Sequence, residues 1–166
     1  MNKQSIAVLT LCALLALGAV AFLYNHYSNP KRVVLNRLEN LGEVSSFQNS
    51  NPLDMVVAVR EFQGYFTDPV KVDTKYQDIV GTHSMDEMKG LFLYSREAAD
   101  SLVLEFNMPL VTEQGDDHIT CRTDAHLTIE FKSGQVVTHR QTLLFFWRKE
   151  DKKWKIHKIE PYLSGS

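Results

Sequence analysis

Apolar and polar residues alternate without a break over the thirteen residues Ile119–Phe131. Odd-numbered positions carry Ile119, Cys121, Thr123, Ala125, Leu127, Ile129 and Phe131, and even-numbered positions carry Thr120, Arg122, Asp124, His126, Thr128 and Glu130. Successive side chains of a strand point to opposite faces of its sheet. The pattern therefore predicts a long strand with one buried face and one face toward solvent or a partner.

Helical spacing of apolar residues predicts three helices before this strand. The first covers Lys31–Leu41 and ends at Gly42, a residue that often follows a helix. The second opens at Pro52 and carries the stripe Met55, Val56, Val59, Phe62 and Phe66, with Asp68-Pro69 as its break. Ser84 and Glu87 have the spacing of a capping box, which predicts a third helix to about Asp100.

Further strands are predicted on both sides of the long one. They cover Val70–Tyr76, Leu102–Asn107, Gln135–Arg148 and Trp154–Glu160, with Gly81–His83 as a loop. Pro109 is expected either to end the strand Leu102–Asn107 or to mark it as an edge strand. Helices followed mainly by strands favour an α+β domain.

Composition narrows the function only by exclusion. The 166 residues carry a net charge of −2 without a basic stripe, so no nucleic-acid partner is expected. The six histidines lack metal-ligand spacing and no phosphate-binding glycine loop occurs, so we expect neither a metal nor another cofactor. Cys121 is predicted to be a small core residue, without a disulfide to Cys12.

The N-terminal segment has a different character. Ile6–Tyr24 is an uncharged, largely apolar run, nearly long enough to span a bilayer as a helix. We interpret residues 1–30 as a signal anchor with a short linker, and residues 31–166 as one domain outside the cytoplasm, periplasmic if the host is Gram-negative. Ala19-Val20-Ala21 leaves a cleavable signal peptide and secretion as the alternative.

The order of elements resembles the nuclear transport factor 2-like superfamily, which includes SnoaL-like and ketosteroid isomerase-like proteins. The most specific match is Phe146–Ile156, where an aromatic strand meets a Lys-Trp turn, and the resemblance covers about Lys31–Tyr162. It implies a cone-shaped, curved antiparallel sheet with three helices packed on its concave side. The superfamily includes enzymes, ligand pockets, oligomerisation domains and membrane-anchored scaffold subunits, so the fold leaves the function open.

Candidate site residues follow from this resemblance and from the strand pattern. Asp73 falls near the base position of the isomerases, and His139 is a second weak catalytic candidate, but the first helix lacks the tyrosine that such chemistry needs. Candidates for a pocket in the cone are Tyr65, Phe66, Tyr94, Cys121, Phe145 and Trp147. Candidates for a protein or homodimer interface are Arg122, Asp124, His126 and Arg140.

The sequence thus predicts a non-catalytic domain, tethered to a membrane through Ile6–Tyr24. It would bind a protein partner or a small apolar ligand. The alternative is a small pocket enzyme of the isomerase or dehydratase type.

Overall fold

A computed structural model describes residues 29–49, 52–74 and 80–163. Contacts within the chain divide it into two units, Met1–Val33 and Val34–Ser166, and the second unit contains the folded domain. The predicted membrane segment Ile6–Tyr24 lies outside the described residues. Among the helices that are described, none has the length and apolar character needed to cross a membrane.

Three helices and seven strands make up the described part of the chain. In order they are α1 (Pro30–Ser45), β1 (Phe47–Gln48), α2 (Pro52–Gln63), β2 (Phe66–Val72), β3 (Gly81–His83), α3 (Met85–Ala98), β4 (Ala99–Gln114), β5 (His118–Phe131), β6 (Val136–Glu150) and β7 (Lys153–Pro161). The α+β prediction is therefore confirmed, with helices on one side of a single curved sheet.

The seven strands form one sheet in the order β1-β4-β5-β6-β7-β2-β3. Every neighbouring pair is antiparallel except β2 and β7, which run parallel with Val72 opposite Ile159. The prediction of a wholly antiparallel sheet is thus wrong at this pair. Alternation along a strand reports which face is buried, but it carries no information on the direction of a partner that lies far away along the chain.

The alternation in β5 is confirmed where the strand crosses the core, except that Thr120, predicted to face outward, is also buried. Ile119, Cys121, Thr123 and Ala125 are all buried, and Cys121 is fully inaccessible. Trp147 of β6 lies opposite Ile119 and is also fully buried. From Leu127 onward the inner side chains are only half-buried, because the strand approaches the exposed turn at residues 132–135.

Helix α1 does not end at Gly42, as its glycine predicted, but continues to Ser45. Gly42 is buried, and an added Cβ atom would lie 2.8 Å from the carbonyl oxygen of Leu104 in β4. The glycine therefore permits close packing of a helix on a strand rather than terminating the helix.

The segment around α2 also departs from the predictions. The helix ends at Gln63, and Phe66 is the first residue of β2 rather than the last of the helical stripe. Asp68-Pro69 lies within β2, with a cis peptide bond, instead of breaking a helix. Val56 is 70% exposed, so only the side of α2 that carries Val59 and Phe62 packs on the core.

A short edge strand and a capping box immediately precede the body of helix α3. Gly81–His83, predicted as a loop, forms the edge strand β3 by pairing with β2. The predicted capping box is confirmed: the backbone N–H of Ser84 donates to Glu87 Oε2 (2.7 Å), and that of Glu87 donates to Ser84 Oγ (3.3 Å). The hydrogen bond from the Ser84 backbone also lowers the pKa of Glu87.

Strand β4 is much longer than the predicted Leu102–Asn107, because Pro109 does not end it. A bulge between Asn107 and Leu110 accommodates the proline, and Met108 takes a left-handed backbone conformation with φ 48°. The hydroxyl of Thr123 donates to the carbonyl oxygen of Asn107 (2.9 Å) beside the bulge. Strand β4 therefore continues past the bulge and extends over 16 residues, from Ala99 to Gln114.

Candidate ligand cavity

A cavity of about 280 Å³ lies between the three helices and the inner face of the sheet. Helices contribute Leu41, Ser45, Phe62, Met88 and Leu91 to its lining, and the sheet with its connections contributes Phe66, Val72, Thr74, His83, Leu104, Phe106, Ala125, Leu143, Phe145 and Ile159. Pockets of this kind, apolar and lined by several elements, are typical small-molecule sites.

Aromatic contacts shape two walls of the cavity. Phe62 lies with its ring centroid 4.8 Å from that of Phe66 and 4.5 Å from that of Phe92. On the sheet, the Phe106 and Phe145 rings meet edge to face at 5.3 Å. Such aromatic pairs contribute favourable contacts beyond the burial of their area, so they stabilise both walls.

Polar groups are few in this lining. Among the described lining residues, Ser45, Thr74 and His83 carry polar side-chain atoms, and His83 is the one titratable group. Within residues 29–49, 52–74 and 80–163, no group of three or more His, Cys, Asp or Glu could hold a metal ion. The cavity is thus suited to an uncharged, mainly apolar occupant, because an unpaired charge would be strongly destabilised there.

Two of the six predicted pocket residues, Phe66 and Phe145, line this cavity. Cys121 and Trp147 are fully buried in the core but are not among the lining residues, and Tyr94 is 70% exposed on α3. Burial raises the pKa of the Cys121 thiol to about 11, so this sulfur is a neutral core group.

Tyr65, the remaining pocket candidate, lies in a separate polar groove with Arg37. The guanidinium carbon of Arg37 is 4.6 Å from the Tyr65 ring centroid, and Arg37 Nη2 donates to the carbonyl oxygen of Gly64 (2.7 Å). Burial raises the pKa of Tyr65 and lowers that of Arg37. These contacts link α1 to the turn after α2, which is a structural role.

The two weak catalytic candidates do not line the cavity. Asp73 is half-exposed, although its chain neighbours Val72 and Thr74 both contribute to the lining. The backbone N–H of Asp73 donates to the carbonyl oxygen of Ile159 (2.8 Å), which holds this segment in an extended form beside β7. His139 is half-buried and lies opposite Leu127 in the β5–β6 register.

The four interface candidates come together on the outer face of the sheet. His126 lies opposite Arg140 across β5 and β6, and the Thr142 hydroxyl donates to Asp124 Oδ1 (2.6 Å). The guanidinium of Arg122 packs over the ring of Tyr162 at 5.0 Å. The structure thus places these residues in one polar patch, while His139 belongs to the opposite face.

Phe62, Phe106 and Ala125 line the cavity but were not among the pocket residues predicted from the sequence. Ala125 had a detectable signal, because it belongs to the inward-facing set of β5. Phe106 lies opposite Ala125 in the β4–β5 register and shares its face. His83 gave no such signal, because its segment was predicted to be a loop.

No protein-family model matches the sequence, and a search of curated proteins gave no match. Solved structures do match the fold. A Novosphingobium aromaticivorans protein assigned as a scytalone dehydratase aligns with a TM-score of 0.64 and 10% identity over 82% of this chain and 89% of that chain. A hexachlorocyclohexane dehydrochlorinase (LinA) Type2 aligns with a TM-score of 0.60 and 8% identity, over 81% and 85% of the two chains.

The association domain of CaMKII from C. elegans aligns with a TM-score of 0.58 and 9% identity, over 84% of this chain and 99% of that chain. The domain has the nuclear transport factor 2-like cone fold. The resemblance inferred from the order of elements is therefore confirmed at the level of fold. Because the similar structures include two named for enzymes and one association domain, the cone fold by itself selects no activity.

Proposed function

We propose that this chain binds a small, uncharged apolar molecule in the cavity of its cone and releases it unchanged. The observation that carries the proposal is the lining itself: twelve of its fifteen residues are aliphatic, aromatic or methionine. A dry cavity of about 150 Å³ is enough to hold benzene. The larger volume here suits a ring with a short chain, or a branched hydrocarbon of similar size.

The enzyme alternative has less support in this geometry. Isomerase chemistry of the kind considered from the sequence needs a carboxylate base beside the substrate, and Asp73 is not part of the lining. Two similar structures are named for elimination enzymes, a dehydratase and a dehydrochlorinase. For this chain to act in that way, His83 would have to serve as the base.

We further propose that Ile6–Tyr24 tethers the domain to a membrane, with the domain outside the cytoplasm and cleavage with secretion as the alternative. The support is the uncharged run in the sequence. A protease-sensitive C-terminal tag would test this placement. Digestion in spheroplasts is expected, and protection of the tag until the membrane is lysed would contradict it.

A second candidate function is association through the outer face of the sheet. Its support is the patch of Arg122, Asp124, His126 and Arg140, whose mixed charges could pair with those of a second copy. The similar structures include an association domain, so the cone fold is compatible with such a role. Ligand binding in the cavity and association through the outer face do not exclude each other.

The binding proposal can be tested by thermal unfolding of the full chain with propylbenzene. A ligand present at ten times its Kd adds about 1.4 kcal/mol and raises the Tm by roughly 3–6 °C. Ala125→Leu would fill the cavity from β5 and remove this shift. Thr128→Leu introduces the same larger side chain on the opposite face of β5, outside the cavity, and this variant should retain the Tm shift.

Partition of propylbenzene into lipid or detergent is the same for both variants, so it cancels in their comparison. Equal shifts in Ala125→Leu and the wild-type chain would disprove binding in this cavity. Turnover of the bound compound would instead support the enzyme alternative.

A further inference from the structure

Helix α2 carries apolar side chains on two of its sides. One side packs on the core through Val59 and Phe62, each 9% exposed. The other side presents Leu53, Val56 and Val57 to solvent, with exposed fractions of 77%, 70% and 58%. Positions i, i+3 and i+4 of a helix lie on the same side, so these three side chains form one apolar surface, the outer side of α2.

This outer side is unusual for a surface helix. The side that points away from a core normally carries charged and polar residues. Among the described residues, seven large apolar side chains, with tyrosine included, are more than half exposed, and three of the seven lie on the outer side of α2. Single exposed apolar residues are common on protein surfaces, but a cluster of them marks a contact surface.

The length of chain before the domain limits what this surface meets. Five residues, Asn25–Asn29, separate the apolar run Ile6–Tyr24 from α1, which begins at Pro30. Fully extended, five residues span at most about 18 Å. With Ile6–Tyr24 in a bilayer, as proposed above, the start of α1 is held within that distance of the lipid.

Helix α2 lies close to this attachment point. Arg37 Nη2 donates to the carbonyl oxygen of Gly64 (2.7 Å), the residue that follows α2, so the end of α2 lies beside the middle of α1. Arg37 comes two helical turns after Pro30, which is about 10 Å along the helix axis. The linker can therefore bring this part of the domain to the bilayer surface.

We infer that the outer side of α2 rests on the surface of a lipid bilayer, with Leu53, Val56 and Val57 in the interfacial layer. This inference rests on the proposed tether and gives the domain a defined orientation on the membrane. Arg60 is exposed and lies one turn after Val56 on the same side. Its aliphatic stem can cover lipid while its guanidinium stays among the head groups. Because the contact is apolar, a bilayer of neutral phosphatidylcholine is sufficient for it.

A tryptophan on the outer side of α2 reports this contact. The natural Trp147 and Trp154 are 0% and 5% exposed, so they give a constant background that brominated lipid does not reach. Val56→Trp places a reporter at the proposed contact. Thr138→Trp is the matched control, at an exposed position on the outer face of the sheet. The full chain of each variant is reconstituted in phosphatidylcholine vesicles, with or without bromine on the acyl chains of both leaflets.

Brominated lipid should lower the emission of the tryptophan added by Val56→Trp about twofold, because an interfacial helix buries its apolar side about 5–10 Å deep. The tryptophan added by Thr138→Trp should keep its emission. Leu53→Gln together with Val57→Gln in the Val56→Trp chain should abolish the quenching. Both changes replace exposed side chains with a good helix former, so the fold should be retained. Quenching that persists in this triple variant would overturn the inference, because mere proximity to lipid would then explain it.

Flotation of the same vesicles separates this inference from the tether. A chain that floats with the vesicles while Val56→Trp is not quenched retains the tether and overturns the contact through α2. A chain that does not float overturns both. A blue-shifted Val56→Trp emission without quenching would mean that a second copy of the chain covers this side, and that result also overturns the inference.

Discussion

Gly42 of α1 approaches Leu104 of β4 so closely that an added Cβ atom would lie 2.8 Å from the Leu104 carbonyl oxygen. A hydroxyl reinforces the same junction. The Leu104 N–H donates to Ser46 Oγ (2.9 Å), and Ser46 Oγ donates to the carbonyl oxygen of Gly42 (2.7 Å). The end of α1 is thus fixed against the sheet at the point where Leu41 and Leu104 line the cavity.

This contact predicts that Gly42→Ala destabilises the protein. The atom in the way belongs to backbone and cannot rotate aside, so we expect a loss of about 1–3 kcal/mol despite the better helix propensity of alanine. Gly90→Ala in α3 is the matched control, because nothing lies within 4 Å of its added Cβ. That variant should gain about 0.5–1 kcal/mol. Urea unfolding of both variants checks the prediction, and a stable Gly42→Ala would contradict the packing described.

Arg96 is expected to be a structural residue despite its charge. It is 5% exposed, stacks between Phe47 and Phe92 at 4.6 and 4.7 Å, and donates from Nη2 to the carbonyl oxygen of Val44 (2.9 Å). Arg96→Ala should lower the free energy of unfolding by about 2–4 kcal/mol, because it removes both stacking contacts and the hydrogen bond.

Arg96→Met should lose less stability than Arg96→Ala, because a methionine still fills the space between the rings. Arg60→Ala on the exposed side of α2 serves as the control and should change stability by less than about 0.5 kcal/mol. The same urea series measures all three variants. Equal effects of Arg96→Ala and Arg60→Ala would show that the stacking contributes nothing.

We expect the folded protein to lose stability in alkaline solution because the Cys121 thiol is buried. Burial raises its pKa from 9.0 to about 11, so the folded chain holds this proton more tightly than the unfolded chain does. The contribution of the thiol to the free energy of unfolding is constant below about pH 9. It falls as the pH rises toward 11, and at pH 11 the loss is roughly 2 kcal/mol. Alkylation mapped by mass spectrometry should also leave Cys121 unmodified until the chain is unfolded.

Comparison with Cys121→Ala isolates this effect from other groups that titrate in the same range. The wild-type chain should lose roughly 2 kcal/mol more than the variant between pH 8 and pH 11. Parallel pH profiles of the two proteins would show that the thiol is not responsible.

The outer patch predicts a change of association rather than of folding. Asp124→Ala or His126→Ala removes one polar side chain from a face where His126 lies opposite Arg140. We expect self-association or partner binding to weaken about tenfold, which corresponds to about 1.4 kcal/mol. Light scattering of the full chain over a concentration series measures the effect, with Lys89→Ala on the exposed side of α3 as control. An unchanged mass together with unchanged partner capture would argue against this interface.

Patterns among residues close together in the sequence were sufficient to predict some of the secondary-structure elements. The alternation of β5 reports its buried face directly, because side chains of a strand change sides at every residue. The capping box of Ser84 and Glu87 lies within four consecutive residues, and its two hydrogen bonds form as the sequence predicts. The cone fold could be inferred because such signals occur in a recognisable order.

Features that depend on distant contacts were not predictable in the same way. From the local sequence Gly42 resembles the residue that ends a helix, and its packing role is evident only from the contact with Leu104. Strand β2 pairs with β7, which is far away along the chain. The cavity depends on the docking of three helices, so Phe66 and Phe145 were identified but His83 was not. His139 and Arg140 are neighbours in the chain, and the register places their side chains on opposite faces of the sheet.

The parallel pairing of β2 with β7 has a consequence for biosynthesis. While the chain is still on the ribosome, β2 is complete long before its neighbour Lys153–Pro161 has been made. The nascent β2–β3 pair therefore presents an open hydrogen-bonding edge, and contacts between such distant segments form late. A stop codon before Lys153 would leave β2 and β6 without a shared neighbour, and the truncated product should accumulate in inclusion bodies rather than as a smaller folded domain.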